Sequence, residues 1–125
     1  MNLKVLDGSE IKIDLSSTSI YQKSGLLSNQ FIRSRLQKTI GDRLLHLYPN
    51  NIIFTEVFIP KEHFFLDFFI PSLNIVIEVN GKQHHSHVRY FHKTISDFNN
   101  QKERDERKRQ WCELNSLKFI EVNDD

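Results

Sequence analysis

The stretch from Phe64 to His85, FFLDFFIPSLNIVIEVNGKQHH, constrains this chain more than any other. It holds two apolar β-type runs, Phe64–Ile70 and Ile75–Val79, each interrupted by one carboxylate, Asp67 and Glu78. Between them Pro71-Ser72-Leu73-Asn74 is turn chemistry, with Pro and Asn setting the reversal. If those residues close a hairpin, Ile70 faces Ile75, and counting outward sets Asp67 opposite Glu78. Opposed residues share a sheet face with Cβ atoms about 4.5–5.5 Å apart. Asn80 falls on that face too, because side chains alternate with period two. Two carboxylates facing each other inside apolar strands repel and lose hydration. The pattern therefore asks for a cation, and a hard divalent ion with oxygen ligands answers it.

Around that hairpin the composition is ordinary for a globular protein: 125 residues, 38% hydrophobic, 26% charged, ten Phe. That length suits one domain. A net charge of +1 means that any basic surface for nucleic acid must be local. The lone Cys112 excludes an internal disulfide and fits a reducing compartment. No run approaches the roughly 18–20 apolar residues of a membrane span, and no signal-peptide pattern opens the chain. The expectation is a cytoplasmic protein without a membrane partner.

Leu3–Leu6 and Ile11–Leu15 alternate about Asp7-Gly8-Ser9-Glu10, which predicts an N-terminal β-hairpin. Ser16–Ser28 reads as a connector. Ser28 or Asn29 can cap a helix to about Tyr48, with Phe31, Ile32, Leu36, Ile40, Leu44, Leu45 and Leu47 at helical spacing. A strand over Ile52–Ile59 precedes the central hairpin. After a polar, His-rich stretch, Ser96 or Asp97 caps a long helix to about Asn115, and Leu117–Val122 closes the chain as a strand. This order predicts an α/β (α+β) fold: a mixed sheet flanked by helices.

Phe98, Asp105 and Cys112 stand seven apart on one stripe of the second helix, with Lys108 between that stripe and Trp111. Asp105 and Lys108 are thus expected near the sheet-facing side, as an i, i+3 ion pair or as the rim of a site. His84, His85 and His87 lack zinc-finger spacing, and a single cysteine gives a structural zinc little support. One of these histidines, His84 before His85 or His87, beside a carboxylate pair suits proton transfer or phosphate contact, since imidazole titrates near working pH; the alternative is loop histidines with no role. The run Lys102–Arg109 has five basic and three acidic residues. Together with Lys82, Arg89 and Lys93 it offers a local basic surface for phosphodiester backbones, and Arg104 is its nucleic-acid-facing candidate. There is no Gly-rich phosphate loop, nucleophile elbow or Cys/His nucleophilic arrangement.

Three of these segments, in order, resemble the PD-(D/E)XK nuclease superfamily. They are Asp67, then Glu78-Val79-Asn80-Gly81-Lys82-Gln83-His84, then Arg104-Asp105-Glu106-Arg107-Lys108 before Leu117–Val122. Within it the chain is most similar to the branch of very-short-patch repair and phage or homing-type endonucleases. The resemblance covers about 28–122 and leaves 1–27 as an N-terminal extension to a core of 28–125. It implies a restriction-endonuclease-like core of helix, three strands, helix and strand. It also implies Mg²⁺ or Mn²⁺ held by Asp67, Glu78 and the Val79 carbonyl, and DNA as substrate. Asn80 occupies the place of the superfamily lysine, with His84 and Asp105 sharing the work. The first helix has Gln30, Phe31, Ile32 and Arg33 where some relatives carry a Glu, and the zinc cysteines of the repair enzymes are missing.

On that resemblance the expected activity is metal-dependent DNA hydrolysis, phage or mobile-element associated. His84 would serve as acid or base, Lys108 and Lys82 would face the phosphate, and Asp105 would orient His84 or join the metal shell. The rival expectation is a nuclease-like fold that only binds nucleic acid or a protein partner. RNA as substrate would use the same chemistry. A domain this small can require a homodimer or a partner protein for specificity.

Overall fold

In a computed structural model the chain is described over residues 1–22, 35–80 and 95–123, with the backbone alone for 95–99 and 101. The elements are β1 (Asn2–Lys4), β2 (Glu10–Lys12), α1 (Arg35–Leu47), β3 (Phe54–Ile59), β4 (Phe64–Ile70), β5 (Ile75–Asn80), α2 (Ile95–Leu114) and β6 (Lys118–Asn123). β1 and β2 make a two-stranded antiparallel sheet. The other strands form a four-stranded mixed sheet in the order β3-β4-β5-β6, antiparallel except for the parallel β5–β6 pair. The architecture is α+β, as the element order predicts. No helix among the described residues is long and apolar enough to cross a membrane.

The central turn follows its sequence chemistry. Pro71 opens a 3₁₀ turn over Pro71–Leu73, and Asn74 takes the left-handed conformation, φ 54°. Asn tolerates that region better than most residues. Ile70 then pairs with Ile75, Phe69 with Val76 and Phe68 with Ile77. At the far end of α2, Ser116 (φ 57°) closes the helix: its N–H donates to Glu113 O, and Leu117 N–H donates to Cys112 O. Those two bonds are the Schellman pattern that satisfies a helix's last carbonyls.

Two cores lie on opposite faces of the large sheet. One holds Leu3, Val5, Ile11 and Ile13 of the hairpin with Val57, Ile59, Phe64, Leu66, Phe69, Val76, Trp111, Cys112 and Leu117. The N-terminal hairpin is thus packed into the core under α2. The other gathers Tyr21, Leu44, Ile53, Phe68, Ile70 and Ile77 beneath α1. Strand β4 changes allegiance midway: Phe64 and Leu66 belong to the first core, Phe68 and Ile70 to the second. Strict alternation would keep all four on one face. The break falls at Asp67, where the rung facing Glu56 is missing from the β3–β4 ladder and Glu56 has φ 53°.

Three expectations need correction. The hairpin strands are shorter than Leu3–Leu6 and Ile11–Leu15, because Gly8 (φ 94°) and the bonds from Ser9 to Asp7 Oδ1 tighten the turn early. Part of the expected connector is structural: Ile20 bridges Phe54, Tyr21 N–H donates to Ile53 O, and Thr55 N–H donates to Ser19 O. Its Tyr21 ring lies over Gly41, where an added Cβ would come within 2.4 Å of it. The buried stripe of α1 is therefore Gln37, Gly41 and Leu44, and Leu47 is exposed. The expected start of α1, with Phe31 and Ile32, lies outside the described residues.

Candidate functional site

The β4–β5 ladder has its last partners at Phe68 and Ile77, one rung short of Asp67 and Glu78. Beyond it the two acids replace the missing backbone bonds. Asp67 N–H donates to Glu78 Oε2 at 2.7 Å, and Val79 N–H donates to Asp67 Oδ2 at 2.8 Å. Each carboxylate thus caps the other strand's backbone, and the pair predicted from the turn register is in place. A hydrogen bond from Thr55 Oγ1 to the Asp67 carbonyl (3.1 Å) steadies the kink from the β3 side.

Glu78 is 5% exposed, and its Oε1 accepts from Lys108 Nζ at 2.6 Å. That contact assigns Lys108 to the sheet-facing side of α2, with Trp111 and Cys112 burying the next turn. Its ammonium also lies 5.9 Å from the centre of the Phe64 ring, within range of a cation–π attraction. So Lys108 is partnered by a strand acid. Burial pushes the Glu78 carboxyl up to about 7, and the Asp67 charge adds to the rise; Lys108 and the Asp67 amide oppose it. The neighbouring Cys112 thiol is pushed up to about 12 by burial first and Glu78 second. It is inert as a nucleophile, since the thiolate is the reactive form.

This shift has a consequence for stability. Glu78 keeps its proton to about 7 when folded but releases it near 4.5 when unfolded. Between those values the native state holds more protons, so unfolding free energy falls as pH rises through the window and levels off above it. Urea titrations in metal-free buffer are expected to show that decline, and Glu78→Gln to flatten it. A Gln variant with an unchanged pH profile would refute the assignment.

Among the other expected site residues, Asn80 lies on the α2 side with Glu78 and donates from Nδ2 to Glu121 Oε2 at 2.5 Å. Asp105 is half-buried on α2, and Arg104 is exposed there. His84, Lys82, Arg89 and Lys93 lie outside the described residues. Among the described residues no group of three or more His, Cys, Asp and Glu gathers as a metal cluster. The Asp67–Glu78 pair nonetheless fits a hard cation: its donors are carboxylate oxygens, and the Asp67 charge adds to the burial that raises Glu78.

Sequence reading missed Glu56 and Gln37, joined at 3.0 Å from Nε2 to Oε1 behind the kink. It also missed Glu121, which bonds Asn80 and Arg109. No signal in the sequence points to Glu121, because its contact with Asn80 depends on β6 lying parallel beside β5.

No family model matches the chain, and no solved structure matches it. Among curated proteins it is similar to Uncharacterized protein 307L of Invertebrate iridescent virus 6, 42% identical over 57 residues. It is similar as well to Uncharacterized protein 033L of Invertebrate iridescent virus 3, 40% identical over 57 residues. Each alignment covers 46% of this chain and 29% of the viral protein, so the chain spans less than a third of the length of the curated relatives it matches.

Proposed function

We propose that the chain is a metal-dependent DNA endonuclease, built on a restriction-endonuclease-like core formed by α1, β3, β4, β5, α2 and β6. The observation that carries this reading is the Asp67–Glu78 pair at the end of the β4–β5 ladder, with Lys108 on Glu78. Burying the Glu78 carboxylate beside a second acid costs stability unless cations offset it, and Lys108 supplies one.

Asp67, Glu78 and the Val79 carbonyl would hold Mg²⁺ or Mn²⁺, ions that take oxygen ligands. Such an ion supplies positive charge to the phosphoryl oxygens and makes water more acidic. The protein's own groups do the rest. Val79 N–H fixes the Asp67 carboxylate, and the Asp67 amide fixes Glu78, so both acids are preorganised. Lys108 holds Glu78 and brings a cation to the edge of the site, where charge grows on the phosphate. In hydrolysis a water oxygen bonds to phosphorus, the bond to the leaving sugar oxygen breaks, and that oxygen takes up a proton. His84 is our candidate for the proton transfer, with Asp105 to orient it. Lys82, Arg89, Lys93 and Arg104 are candidates for backbone contact.

The test is incubation of supercoiled plasmid with the purified chain in Mg²⁺, Mn²⁺ or EDTA. Metal-dependent nicking is the expected result. Binding without turnover in every metal would refute the enzyme and leave the binding module; cleavage of RNA alone would reassign the substrate.

A further inference from the structure

Asn80 is not a loose replacement for a lysine. Its Nδ2 donates to Glu121 Oε2 at 2.5 Å and to Asn123 Oδ1 at 3.5 Å. Both acceptors belong to β6, whose parallel register sets Glu121 beside Glu78 and Asn123 beside Asn80. Register partners in a parallel pair point to one face, so these four form a single polar row on the α2 side. Glu121 is fixed from behind, because its Oε1 accepts from Arg109 Nη2, and Arg109 in turn stacks 5.0 Å above the Phe119 ring.

An amide has chemically opposite ends: NH₂ only donates and the oxygen only accepts. With the NH₂ of Asn80 committed to two oxygens of β6, its Oδ1 is turned away from that strand and accepts from no described residue. A lysine here would bring a cationic donor; the oriented Asn80 brings an acceptor instead. The buried site needs one, since a water attacking phosphorus must have an O–H directed elsewhere for its lone pair to face the phosphate.

We infer that Glu121, backed by Arg109, is a positioning residue that locks the Asn80 amide with Oδ1 as the hydrogen-bond acceptor for the hydrolytic water. No proton changes hands at Asn80; it accepts one hydrogen bond and so aligns the water. This rests on the nuclease reading of the Asp67–Glu78 site.

The experiment measures plasmid nicking in Mg²⁺ for wild type, Glu121→Ala, Glu121→Gln, Asn80→Ala and the Glu121→Ala/Asn80→Ala double variant. Glu121→Ala is expected to lower kcat roughly 10–100-fold, the usual effect of removing a supporting partner, with KM for DNA unchanged. Glu121→Gln, whose Oε1 can still accept from Asn80 but whose NH₂ cannot accept from Arg109, restores part of the rate. The double variant is no slower than Asn80→Ala alone, because both remove one interaction. Nitrogen-edited NMR of the wild type should find the Asn80 NH₂ protons protected from solvent exchange, a result independent of how any variant folds. Wild-type kcat in Glu121→Ala, losses that multiply in the double variant, or freely exchanging NH₂ protons would each overturn the inference alone. A wild type that nicks with neither Mg²⁺ nor Mn²⁺ would overturn both it and the nuclease reading.

Discussion

Asp67→Asn is expected to lower metal-dependent nicking by more than about a hundredfold, while DNA binding stays within severalfold of wild type. The bound on activity comes from supporting residues, whose loss costs about 10–100-fold; a direct ligand should exceed it. Asparagine keeps the side chain's shape and can still accept from Val79 N–H, so the kink should survive. It also removes the like charge that helps raise Glu78, so the variant should unfold no more easily than wild type near neutral pH. Nicking assays, fluorescence anisotropy with labelled duplex and thermal melts together check this. Cutting at the wild-type rate would remove Asp67 from the metal shell, and a large drop in melting temperature would make its role structural.

The largest loss of stability is expected at Trp111. It is fully buried, meets Phe64 edge-on at 5.9 Å between ring centres, and shares its core with the N-terminal hairpin. Trp111→Ala removes that volume and should cost about 3–5 kcal/mol, a large part of a small domain's total. Trp111→Phe should cost far less. The indole Nε1 is buried without an acceptor among the described residues, so phenylalanine removes a donor that contributes nothing. Urea titration checks both variants. A Phe variant as damaged as the Ala variant would mean that the indole N–H has an essential acceptor. Lys108 precedes Trp111 by three residues on α2, so the Ala variant should also lose its hold on Glu78.

The central hairpin is legible in the sequence because local chemistry specifies it. Pro71 and Asn74 set the turn, the turn sets the register, and the register brings Asp67 to Glu78. The inward side of α2 is legible for a similar reason, since Trp111 and Cys112 carry Lys108 with them. What escapes is the set of partners distant in the chain. Alternation tells which face Glu121 occupies but not which strand lies beside it, so its bond to Asn80 is invisible until β6 is seen next to β5. Tyr21 escapes because a polar, turn-like stretch masks a ring that needs Gly41 to make room. The kink at Glu56 and Asp67 escapes because each strand alone reads as regular; only the missing rung between them reveals it.

Strand β4 carries its acid at the point where the chain passes from one packed layer to the other. Asp67 is consequently aimed by both layers at once: the core of the hairpin and α2 holds Phe64 and Leu66 before it, and the core beneath α1 holds Phe68 and Ile70 after it. Shrinking a side chain in either half would rotate the carboxylate rather than merely soften the fold. Substitutions remote from the acids, on opposite sides of the molecule, should converge on the same misalignment.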